Sequence, residues 1–264
     1  MKRNLVIALV VIGTFLLLNN SLDIMDDLGV VFSEKIYRFW TYYGGSLAIV
    51  LLVSAFLYGY KNTLSSLGLD KGVLKGMGYG FLFTLPMFLG YALIAEMQTE
   101  WTWFTVLTIF IAAAMEEVVY RGFLFGQLFR KANWGFVPAV LLNALIFGSG
   151  HLYQGNNFRQ TMGVFLVTLM GGVWFAWLYI EWENNLWIAI GLHFFMNLSW
   201  KLFAIDGTAL GGWGANLFRI TTIALSIIFT IYYRRQRGGM RVTKKNLIFG
   251  EEASIGVNGT TMAV

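Results

Sequence analysis

The chain has 264 residues, 57% of them hydrophobic and only 12% charged, with a mean hydropathy of +0.64 and a formal net charge of +5. Soluble domains carry about 25% charged residues, so an ordinary water-soluble domain is excluded. The absence of cysteine excludes disulfides and thiol chemistry.

The apolar runs are continuous and approach twenty residues, the length of a membrane helix. A β-barrel requires shorter segments that alternate apolar and polar positions. The expected fold class is therefore all-α, a polytopic membrane bundle. In chain order the spans are expected at about 4–18, 40–60, 76–96, 101–129, 134–152, 160–180, 185–204 and 215–233. The fourth is long enough to tilt or to project beyond the bilayer. "MKRNLVIALVVIGTFLLL" could be a cleaved signal peptide, but "NNSLD" follows it with no small-x-small cleavage site, which favours a retained first helix. Residues 1–233 then form one membrane-embedded domain. Residues 234–264, beginning "RRQRGGMRVTKK", read as a basic, flexible tail.

An amino terminus in the cytoplasm and eight crossings put most of the 19 basic residues inside, among them Lys2, Arg3, Lys61, Lys71, Lys75, Arg130, Lys131, Arg234, Arg235, Arg237, Arg241, Lys244 and Lys245. The positive-inside rule is then satisfied, with both termini cytoplasmic. Topology thus accounts for the net charge, and no nucleic-acid partner is implied. "NGT" at 258–260 matches a glycosylation sequon, which in a cytoplasmic tail is chance. Gly163, Gly171 and Gly172 are expected at close helix contacts. The tryptophans at 40, 101, 103, 134, 182 and 200 are expected as interfacial anchors.

Ionisable residues at membrane depth are the informative ones. Glu116, Glu117 and Arg121 lie in "AAAMEEVVYRG", His151 closes "FGSGH", and His193 and Asn197 lie in "HFFMN". The two histidines are all that the chain has. Two acids and an arginine at a helix centre cost roughly 8–10 kcal/mol if unpaired, so they must face the bundle interior and find partners. Glu117 and Arg121 are one helical turn apart and share a face, while Glu116 points about 100° away, free of the arginine. His193 and Asn197 repeat the one-turn spacing. Taken singly, an ion pair gluing two helices, a packing histidine and an interhelical asparagine are adequate explanations. A single site accounts for them together.

A carboxylate, two imidazoles and a carboxamide in a dry bundle suit hydrolysis by activated water. Glu116, desolvated, is a candidate general base. His151 could share the attacking water, and His193 with Asn197 could donate to an oxyanion. The same ligand types, His151, His193 and Glu116, could instead hold Zn2+ or another divalent metal with one open position. The HExxH pattern of soluble zinc proteases is absent.

These residues carry a family resemblance. "EEVVYRG" resembles the EExxxR motif of the CPBP (Abi) family of intramembrane proteases, "FGSGH" its FxxxH motif and "HFFMN" its HxxxN motif, in the family's order and within residues 70–205. The resemblance implies an α-helical membrane peptidase related to type II CAAX prenyl endopeptidases. It places Glu116 and His151 at the water, His193 and Asn197 at the oxyanion, and Glu117 with Arg121 behind them. It leaves metal-dependent and metal-free mechanisms open. The partners it implies are a peptide or membrane-protein substrate and the lipid bilayer. A non-catalytic scaffold or immunity-type protein of the same fold and a proton-coupled transporter are the alternatives. Transporters of that kind show broken helices in symmetric halves, and no such symmetry is present. One feature sits awkwardly: Glu116 and His193 fall near mid-membrane, whereas His151 falls at the outer end of its span.

Overall fold

Inside a bilayer no water satisfies backbone N–H and C=O groups, so spanning segments close their hydrogen bonds internally as helices. The computed structural model describes residues 2–30 and 34–250, which places the sequon at 258–260 outside the described residues. Eight long helices follow in order: α1 (Lys2–Asn19), α2 (Lys35–Tyr58), α3 (Val73–Ile94), α4 (Trp103–Arg130), α5 (Phe136–Ser149), α6 (Phe158–Glu181), α7 (Trp187–Leu202) and α8 (Trp213–Arg235). Among the described residues there is no strand, only one isolated bridge between Trp134 and Phe249. The protein is a polytopic helical bundle. Among the described residues seven segments are long and apolar enough to cross a membrane, α5 counting as one together with the turn after it, Phe136–Gln154; the exception among the eight expected spans is α7, with 16 residues.

The short α7 is seated by two loops rather than by its own length. Gly68, at φ +80°, turns the chain after a short helix at Thr63–Leu67, and a Cβ there would run into the Asn184 carbonyl. This close approach lets the Leu186 amide donate to the Gly68 carbonyl (3.0 Å), Asn185 Nδ2 to Gly72 (3.2 Å) and Trp187 Nε1 to Leu69 (3.1 Å). From there α7 runs along α3, backbone against backbone. A Cβ on Gly80 would lie 2.6 Å from the Gly191 carbonyl carbon. Close glycine contacts of this kind hold membrane helices together by packing alone.

Several expectations change. Gly172 does approach Ala144 and Gly163 meets Leu210, but Gly171 faces open space. Trp182 is not an interfacial anchor: it is 3% exposed, donates from Nε1 to Thr230 Oγ1 (2.9 Å) and stacks on Tyr233. The tail after α8 is packed as far as it is described. The amides of Arg241 and Val242 donate to the two carboxylate oxygens of buried Glu181 (2.9 and 3.0 Å). The carbonyls of Asn246 and Leu247 accept from the amides of Phe136 and Val137 (2.8 Å each), satisfying N–H groups that the start of α5 leaves free.

Candidate active site

Within α4 the segment Glu117–Phe125 is a π-helix, with i→i+5 hydrogen bonds. Segments of this kind widen the helix and recur at functional sites. Here the π-helix begins at the acidic pair. Glu117 and Arg121 are both fully buried and form a salt bridge of 3.0 Å (Arg121 Nη1 to Glu117 Oε1). The same Glu117 oxygen meets His193 Nδ1 from α7 at 2.8 Å. Arg121 is walled by aromatic rings, with its guanidinium 4.1 Å from the Phe147 centroid on α5 and 5.5 Å from Phe175 on α6. Cation–π contact of this kind is favourable where water is excluded. Phe175 also stacks on the His193 ring at 5.5 Å.

Glu116 points elsewhere, as the rotation per residue requires. Its side chain is 24% exposed, with Oε2 3.8 Å from His193 Nε2 and Oε1 3.4 Å from the Tyr43 hydroxyl on α2. His193 therefore stands between two carboxylates. A neutral ring that donates from Nδ1 to Glu117 turns the Nε2 lone pair toward Glu116; a protonated ring turns an N–H there. Asn197, one turn beyond His193, is exposed and makes no side-chain hydrogen bond among the described residues.

α5 ends at Ser149, and His151 sits in the turn that follows. His151 Nδ1 is held by the Phe147 carbonyl at 2.7 Å and its ring packs on Phe147, whose other neighbour is Tyr120. No hydrogen bond or ion pair joins His151 to either carboxylate among the described residues. The structure thus brings Glu116, Glu117, Arg121 and His193 together; His151 is linked to them through Phe147, which packs on both its ring and the Arg121 guanidinium, and Asn197 makes no hydrogen bond to them among the described residues.

The donor set does not fit a metal in this arrangement. Among the described residues no three His, Asp or Glu side chains converge as ligands. His193 Nδ1 is held by Glu117 and His151 Nδ1 by a backbone carbonyl, contacts that leave Nε2 of each ring free.

Sequence reasoning missed other buried polar groups. Glu181 lies at the very end of its helix, and Arg219 is 8% exposed within α8, where it donates to the carbonyls of Ala209 (2.6 Å) and Leu210 (2.8 Å). Both are structural ties; Arg219 was visible as a charge inside the expected span 215–233, whereas Glu181 directly follows the expected span 160–180. Asn143 on α5 is fully buried with no protein partner, one turn from Phe147. Nothing in the sequence distinguished Tyr43.

Residues 98–199 match the protein family described as "Type II CAAX prenyl endopeptidase Rce1-like". A Bacillus subtilis (strain 168) protein named "Putative membrane peptidase YdiL" is 30% identical over 92 residues, which cover 35% of this chain and 33% of that protein. The match thus spans about a third of the length of that curated relative. No solved structure matches the chain significantly. All six motif residues, from Glu116 to Asn197, lie inside the matched segment. With the three motifs in order on α4, α5 and α7, the matched segment is similar to the type II CAAX prenyl endopeptidases.

Proposed function

We propose that the protein is an intramembrane endopeptidase that hydrolyses peptide bonds of membrane-embedded or membrane-anchored chains, using water activated by Glu116. One observation carries this reading. Of two adjacent acids, Glu117 is fully buried and tied to both Arg121 and His193, while Glu116 is partly exposed beside the same imidazole. A purely structural ion pair accounts for Glu117 and leaves Glu116 without a reason to be there.

In the reaction, Glu116 takes a proton from water as the water oxygen adds to the scissile carbonyl carbon. The oxyanion so formed accepts hydrogen bonds from protonated His193 and from Asn197 Nδ2, and Glu116 returns the proton to the departing amine. Glu117 and Arg121 hold the His193 ring through Nδ1, so that Nε2 faces the reacting atoms. His151, fixed by the Phe147 carbonyl, presents its remaining nitrogen to the same water. No step is routed through a metal. Substrates that fit the architecture are prenylated CAAX tails, leader peptides and membrane-bound regulators. Both termini are proposed to be cytoplasmic.

The test is Glu116→Ala in purified protein, assayed with fluorescence-quenched farnesylated CAAX peptides and with leader-peptide substrates. Loss of cleavage at an unchanged melting temperature supports the reading, and full turnover in the variant removes it. Because the chain has no cysteine, single cysteines placed at residue 2 and after α8 report sidedness cleanly. Protection of both in sealed, right-side-out vesicles is the expected result.

A further inference from the structure

Glu116 has two neighbours in hydrogen-bonding directions, and only His193 belongs to a motif. The other is Tyr43, on α2, outside the matched segment 98–199. Its placement is not local chance. The ends of α2 and α4 are neighbours, since Lys131 Nζ sits 5.4 Å over the Tyr58 ring, and the contact of hydroxyl with carboxylate puts the tyrosine and the acid at one depth.

The ring of Tyr43 is gripped from its own helix by Phe39 (4.7 Å, edge-on) and Tyr42 (5.1 Å, edge-on). Phenylalanine would satisfy that packing equally well, so the grip does not explain the hydroxyl. Among the described residues the one side chain that the hydroxyl bonds is Glu116, through Oε1 at 3.4 Å. The distance is long for an O–H···O bond, whose usual range ends near 3.0 Å, and such contacts tighten when a substrate fills the site. The other Glu116 oxygen, Oε2, is the one beside His193. Tyr42 and Tyr120 also lie within electrostatic reach of this carboxylate.

We propose that Tyr43 is a positioning residue: its phenol holds Oε1 of Glu116 and thereby turns Oε2 toward the water beside His193. The proposal rests on the peptidase reading for its kinetic consequences, but the Tyr43–Glu116 contact can be tested apart from it. With a fluorescence-quenched farnesylated CAAX peptide, Tyr43→Phe is expected to lower kcat about tenfold with KM within about twofold, because proton transfer is impaired and binding is not. In a Glu116→Gln background, Tyr43→Phe is expected to change neither residual turnover nor anisotropy-measured peptide binding, since its effect passes through the carboxylate. Independently of turnover, dicyclohexylcarbodiimide modifies protonated carboxyls at membrane depth. Removing a donor to the ionised form favours the protonated one, so Tyr43→Phe is expected to raise labelling of Glu116 several-fold by mass spectrometry. Glu117, paired with Arg121, serves as the internal control.

Wild-type kcat and wild-type labelling in Tyr43→Phe overturn the proposal. So does a raised KM at constant kcat, which makes Tyr43 a substrate contact instead. If Glu116→Ala retains turnover, the peptidase reading fails, and the labelling experiment alone then decides whether Tyr43 holds Glu116.

Discussion

Replacing Gly80 by alanine tests how closely the site depends on the seam between α3 and α7. The new Cβ would lie 2.6 Å from the Gly191 carbonyl carbon and 2.7 Å from the Leu192 amide nitrogen, both of them backbone atoms. Carbon contacts are favourable at about 3.5–4.0 Å, so α7 must retreat by about 1 Å, with no flexible side-chain tip to yield in its place. His193 follows Gly191 by two residues and moves with it. Its 2.8 Å bond to Glu117 then stretches to about 3.8 Å, beyond hydrogen-bonding range. Overpacking of this kind costs about 1–3 kcal/mol, and a misplacement near 1 Å can cost about a hundredfold in rate. The expected result is a lower melting temperature in detergent and a turnover reduced by roughly one to two orders of magnitude. Gly171→Ala, whose Cβ meets nothing within 4 Å, is the matched control and should behave as wild type. A Gly80→Ala protein with wild-type stability and turnover would refute the argument that backbone contact along this seam sets the position of His193.

Arg121→Met leaves Glu117 buried with only His193 beside it and should lower stability by about 3–5 kcal/mol, read by equilibrium unfolding in detergent or bicelles; Arg121→Lys should recover only part, since it lacks the planar fork, and an Arg121→Met protein as stable as wild type contradicts this. Glu181→Ala removes the acceptor of two backbone amides, so limited proteolysis within residues 236–250 should accelerate about tenfold, consistent with about 1.5–3 kcal/mol for a charge-assisted bond; an unchanged cutting rate argues against Glu181 as the tie that holds the tail. Exhaustive chelation should leave turnover within about twofold of untreated protein, because the proposed reaction uses general acid–base chemistry alone; a loss restored by zinc would show that the donors converge on binding.

Composition and apolar run length determined the class, since the cost of exposing backbone to lipid is paid segment by segment and needs no knowledge of neighbours. Helical period likewise determined that Glu117 faces Arg121 and that Glu116 does not, because both statements concern residues one turn or one step apart on a single helix. The motif residues were legible for the same reason. Only the tertiary structure decided what lies across a helix boundary. It ended α5 at Ser149, which left His151 in the turn beyond, and it set the short α7 on the loops at Gly68 and Asn185. It also reversed the expectations for Gly171 and Trp182, laid the described part of the tail against Glu181, and put Tyr43 of α2 beside Glu116. In each case the residue's own chemistry is the same either way. What differs is which helix stands opposite, and that is fixed by the packing of the whole bundle rather than by any local pattern.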